Sequence, residues 1–180
     1  MKKGFQVVVL LFFVGVFSSL GLAMEYSHTL EDGPVAFSWR VDGELLHVKL
    51  RGETTGWVAV GFNPVTMMKG GNFIMGYVKN GKAKVTDHVG HTERAHKSDK
   101  KSGGTNNATA VSGTEAEGVT EIAFTMPLNS GESVDTVIDP KDMTTVLLGV
   151  GGGRDSFRSV HAYKSVHQVD LITGASEKVK

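Results

Sequence analysis

Val35-Ala36-Phe37-Ser38-Trp39-Arg40-Val41-Asp42-Gly43-Glu44-Leu45-Leu46-His47-Val48-Lys49-Leu50 is the stretch that decides the fold class. Val35, Phe37 and Trp39 alternate with Ala36, Ser38 and Arg40; Leu46, Val48 and Leu50 alternate with Leu45, His47 and Lys49. A period of two puts one set of side chains on one face of a strand, and Asp-Gly tolerates the positive φ of a two-residue hairpin turn. The segment therefore predicts two antiparallel strands with one buried face.

The same pattern continues outward. Trp57–Phe62 is apolar on both faces and reads as a central strand. Phe73–Val78 follows, and Asn80-Gly81, another hairpin signal, joins it to a strand over Ala83–His88. Residues 89–118 are polar and Gly-rich, which predicts loop, with a short strand near Ala108–Val111. Val119–Met126, Thr144–Val150 and Val166–Ile172 complete the set. No stretch carries a helical stripe. Eight to ten short strands at this spacing predict an all-β antiparallel sandwich or barrel.

Composition narrows the chemistry. The chain has 180 residues, and about half of them are apolar when glycine is counted, as in an ordinary globular protein. Nineteen Lys and Arg balance nineteen Asp and Glu, which argues against a general nucleic-acid binder. There is no cysteine, so thiolate metal sites, disulfides, thiol nucleophiles and thioether-linked haem are all excluded. Lys2 and Lys3, the apolar run Phe5–Phe17, and Gly21 and Ala23 read as a secretory signal peptide over residues 1–23. That leaves residues 24–180 as one exported domain, periplasmic or extracellular, with no later membrane span.

Several chemistries find little support. No Gly-x-Ser-x-Gly elbow marks a serine hydrolase, and Gly149-Val150-Gly151-Gly152-Gly153 lacks the Lys-Ser/Thr and the helix of a phosphate loop. His88, His91 and His96 lie close together beside Asp87 and Asp99, yet their spacing matches no rigid metal template. Residues 79–101 hold seven basic side chains and residues 115–142 hold seven acidic ones. Such segments serve either as solvated surface or as opposite patches that steer a charged partner.

Sulfur and imidazole at strand ends are more informative. Met67-Met68-Lys69-Gly70-Gly71 follows the central strand, and His161 precedes the last one. Thioether and imidazole together form an axial pair for haem iron. Residue types alone also suit a Met pair capping a core edge and a surface histidine, so both readings stand.

Gly56-Trp57-Val58-Ala59-Val60-Gly61-Phe62-Asn63, Met68-Lys69-Gly70-Gly71-Asn72, Gly76-Tyr77-Val78, Val85-Thr86-Asp87, Gly118–Phe124, Pro127-Leu128 and Val160-His161 together resemble the DOMON domain family. The resemblance runs over roughly residues 27–173. It implies an antiparallel β-sandwich of immunoglobulin-like two-sheet architecture, of the cytochrome b or sugar-binding type. It further implies non-covalent haem b with Met68 and His161 as iron ligands, Met67 being the neighbouring competitor. Gly71-Asn72 and Met126 depart from the family pattern without removing a ligand.

Trp57, Phe62, Phe73, Met75 and Phe157 are the expected packing residues, and Arg158 and Lys164 the expected propionate partners. The Met68 loop and His161 are expected at one end of the sandwich. The reading is a single-electron carrier working with a redox partner protein and not an enzyme in itself. The alternative is a haem-free module for a sugar or other small ligand.

Overall fold

The structure, a computed structural model, describes residues 25–179. The predicted signal peptide, residues 1–23, lies outside them. The strands in chain order are β1 (His28–Asp32), β2 (Val35–Asp42), β3 (Leu45–Gly52), β4 (Val58–Phe62), β5 (Asn72–Lys79) and β6 (Lys82–Thr92). They continue with β7 (Ala95–Ser98), β8 (Thr109–Ala116), β9 (Val119–Pro127), β10 (Met143–Gly151), β11 (His161–Asp170) and β12 (Ser176–Lys178). A 3₁₀ turn at Asp99–Lys101 is the sole helical element among the described residues. No helix there is long and apolar enough to cross a membrane.

All pairing is antiparallel, in a five-stranded sheet β1-β2-β3-β9-β8 and a seven-stranded sheet β12-β11-β10-β4-β5-β6-β7. The two sheets make a β-sandwich. Phe37, Trp39, Val48 and Leu50 from one sheet meet Val58, Val60, Phe62 and Leu148 from the other in a core closed to solvent. Phe37 stacks on Trp39 at 4.6 Å between ring centroids, and the Trp39 indole N–H donates to the Leu171 carbonyl at 2.9 Å. That bond satisfies the one polar group this large side chain brings inside. The Asn80-Gly81 turn lies where its signal puts it, both residues at positive φ, whereas Asp42 pairs with Leu45 and the other turn falls one residue on, at Gly43-Glu44, with Gly43 alone at positive φ.

The loop predicted for residues 89–118 is corrected in part: β6 runs on to Thr92, β7 is added, and the short strand expected near Ala108–Val111 is β8, which begins at Thr109 and runs on to Ala116. β7 and β8 escape the alternation test because they lie at sheet edges. The side chains of β8 are almost all exposed, so neither face selects for apolar residues. The first strand begins before Val35, and the strand expected over Val166–Ile172 is β11, which starts at His161. At the β1 edge, Asp32 accepts from Lys178 and contacts His167 at 3.0 Å. Burial works to raise the Asp32 pKa, but hydrogen bonds from Lys178, Ser165, Tyr163 and His167 outweigh it and hold the carboxyl well below the usual range.

Candidate functional site

In a sandwich the outward face of each sheet is ordinarily polar and wet. The seven-stranded sheet departs from this. Its strands β4 and β5 send Val58, Val60, Phe62 and Ile74 into the core, while Ala59, Phe73, Met75 and Tyr77 join Trp57 in a second buried cluster. None of those five is more than 6% exposed. Gly61 and Gly151 make room for it: a Cβ on Gly61 would strike the Phe73 ring, and one on Gly151 the Trp57 indole. Large rings thus lie across bare backbone of neighbouring strands, which is the close approach that glycine permits.

Two connections cover this floor. The segment from β10 to β11, residues 152–160, is tied down by the Trp57 indole N–H, which donates to Ser159 Oγ at 2.9 Å. Ser159 Oγ in turn donates to the Ser156 carbonyl at 2.7 Å. Phe157 from the same segment packs on Tyr77 and His88, at 5.0 and 5.6 Å between centroids. At the other end the loop 63–71 is strapped to β6: Gly70 N–H donates to the Gly90 carbonyl and Gly90 N–H to the Gly71 carbonyl, both at 2.8 Å. Met68 packs half-buried on the apolar cluster, whereas Met67 stands at φ 53° with half its surface in solvent.

His161 is an exposed first residue of β11, in register with Gly151. The register shifts there, Val150 pairing with Tyr163 and Gly151 with His161, so Ala162 is an extra residue. Tyr163 packs on the central core, and unbroken alternation would send His161 the same way. The bulge instead brings it to the side of Gly151, where Trp57 lies. Met68 and His161 therefore belong to the same sheet face but not to the same end of it. Loop 63–71 follows Phe62, while Gly151 lies one residue past the Val58–Val150 pair. The intervening β4 spans roughly 13 Å.

The remaining expected site residues divide. Trp57 and Phe73 form the floor, with Met75 beside them and Phe157 above. Phe62 belongs to the central core. Arg158 is exposed, its backbone N–H donating to Ser156 Oγ at 3.4 Å. Tyr77 and His88 are additions to this floor: the sequence marked Tyr77 only within Gly76-Tyr77-Val78 and His88 only within the histidine cluster, neither as a packing residue. The signal for Tyr77 was available, because Phe73–Val78 is apolar at both parities.

Of the three clustered histidines, two come together and the third does not. His88 and His96 are 3.0 Å apart between Nδ1 atoms, and His88 Nε2 is 3.0 Å from Thr86 Oγ1. His91 is exposed. Burial, with help from His96 and Lys101, pushes His88 down to about 4. The folded chain holds His88 neutral where the unfolded chain binds a proton, so its share of stability is full above about pH 6.5 and is lost as pH falls towards 4. We expect about 1–2 kcal/mol of acid-side destabilisation from this group, discounted for the solvent that reaches the pair. Thermal melts of the wild type and His88→Gln between pH 4 and 7 check it: the variant's slope should be shallower, and equal slopes would contradict the assignment.

A family model described as DOMON domain matches residues 31–151. The cytochrome b domain of pyranose dehydrogenase from Coprinopsis cinerea superposes with a TM-score of 0.57 at 7% identity, over 81% of this chain and 76% of that one. The cytochrome domain of Myriococcum thermophilum cellobiose dehydrogenase does so with a TM-score of 0.57 at 10% identity, over 84% and 81%. At such identities the likeness is one of fold. No curated protein matches the chain.

Proposed function

The chain belongs to the DOMON domain family, and on that premise we propose that it holds one non-covalent haem b and transfers single electrons. The observation that carries this reading is the buried apolar outer face of the seven-stranded sheet, with a thioether packed on it and an imidazole in register at its far end. The donor set fits the group: neutral sulfur and nitrogen, apolar walls, and no cysteine for covalent attachment. Met68 and His161 are the iron ligands in this proposal. Trp57 and Phe73 pack against the macrocycle, and Arg158 supplies positive charge for the propionates. When bound, the haem supplies a one-electron couple. If Met68 and His161 both hold the iron, the protein would leave substrate no open place on it, which favours a carrier over a catalyst.

The partner in this reading is another redox protein or domain, and the predicted signal peptide implies work outside the cytoplasm. Sugar binding by an aromatic platform has less to support it. Among the described residues the exposed large hydrophobics are all aliphatic or methionine, while Trp57, Phe73 and Tyr77 are buried. Titrating the purified chain with haem tests the proposal. One equivalent should saturate it and should then accept one electron from a chemical reductant. Unsaturable, non-stoichiometric uptake would overturn it.

A further inference from the structure

Alternation along β6 turns His88 to the outer face and Asp87 inward, away from the proposed haem site. Asp87, 1% exposed, there meets two acids from distant segments. Asp99, fully buried, heads the 3₁₀ turn after β7, and Asp135 is half-buried in the connection between β9 and β10. One carboxylate oxygen from each lies within 4.8 Å of the others.

The arrangement of partners is what points to a ligand. Asn107 takes the outer oxygens: its backbone N–H donates to Asp87 Oδ2 at 3.3 Å and its side-chain amide to Asp135 Oδ2 at 3.1 Å. Asp87 Oδ1, Asp135 Oδ1 and both oxygens of Asp99 are buried without any hydrogen-bond partner. The main chain beneath is fixed as well, since Ser102 and Gly104 donate to the Asp99 carbonyl at 2.7 and 2.9 Å. Among the described residues no Lys, Arg or His forms an ion pair with any of the three. A buried carboxylate without donor or counter-charge is among the costliest groups a fold can hold; Asp99 is one, and the two acids facing it each keep one oxygen unpartnered. Consistent with that, burial and the facing acids push Asp87 up to about 7 and Asp99 up to about 8.

We propose that Asp87, Asp99 and Asp135 bind a hard divalent cation, calcium, which ties the β9–β10 connection and the turn at Asp99–Lys101 to β6. An all-oxygen donor set selects against softer transition metals. Three carboxylates from three separate segments, completed by water, suit the irregular coordination of calcium better than the strict octahedron of magnesium. The site is independent of the haem reading, because its residues face the other side of the sheet.

Calorimetry and thermal melts of the chelator-stripped chain at neutral pH test it, with calcium chloride and magnesium chloride as probes. We expect one equivalent of calcium to bind. At a hundredfold excess over Kd, Tm should rise by about 5–10 °C. Asp99→Asn should abolish the rise, and Asp135→Asn, at the more exposed position, should weaken calcium binding by at least ~10-fold while the chain stays folded by circular dichroism. No calcium heat and no shift, an unchanged shift in both variants, or a shift with magnesium alone would overturn the proposal. A rise in Tm of the metal-free chain on Asp99→Asn, with calcium inert towards the wild type, would show carboxyls that share protons instead.

Discussion

His161→Ala is expected to leave a folded sandwich that does not retain haem. The imidazole is the stronger of the two proposed donors, and a lone thioether binds iron too weakly to hold a non-covalent group. Loss of residues that merely support a metal ligand costs 10–100-fold in affinity, so loss of the ligand itself should cost at least ~100-fold. The fold should be spared: the side chain is exposed, and the bulge at Ala162 is a backbone feature. The check is haem content after gel filtration, beside a circular dichroism spectrum. Stoichiometric haem in the variant would remove His161 from the site.

Met68→Ala should act differently. The variant keeps haem through His161, exchanges a low-spin six-coordinate spectrum for one with an open or water-filled position, and loses reduction potential. A soft neutral sulfur favours ferrous iron, and axial ligands move potentials over about 0.8 V, so a fall on the order of 100 mV is expected. Met67→Ala is the control. Met67 stands in the left-handed region with its side chain half in solvent, while its neighbour packs on the floor with Phe73 and Met75. Potentiometry and optical spectra of both variants separate them; a lost low-spin spectrum in Met67→Ala alone would shift the ligand by one residue.

How far this site could be read in advance depended on which forces each segment reports. The β2–β3 hairpin was legible because one face is buried, one is wet and the turn needs a glycine, Gly43, at positive φ. β1, β7 and the greater part of β8 were not, since edge strands bury too little to impose a period. Trp57–Phe62 reads as apolar on both faces and hence as a central strand, while Phe73–Val78, apolar at both parities too, reads only as the strand that follows. What the pattern could not say is that the second apolar side is covered by the connection 152–160.

The separation of Met68 and His161 along the face, against the expectation of a common end, follows from strand register and one bulge. Composition carries neither. The acidic triad was beyond reach for another reason. Asp87, Asp99 and Asp135 come from three segments that only the sandwich brings together, and carboxylates so dispersed look like ordinary solvated charge.

The most direct test of the central claim is the absorption spectrum of the wild-type chain with one equivalent of haem, recorded oxidised and then reduced. A low-spin Soret band is expected in both states, with sharp visible bands on reduction and, in the ferric state, the weak long-wavelength charge-transfer band of a thioether–imidazole pair. A high-spin spectrum, or one indistinguishable from free haem, would contradict it.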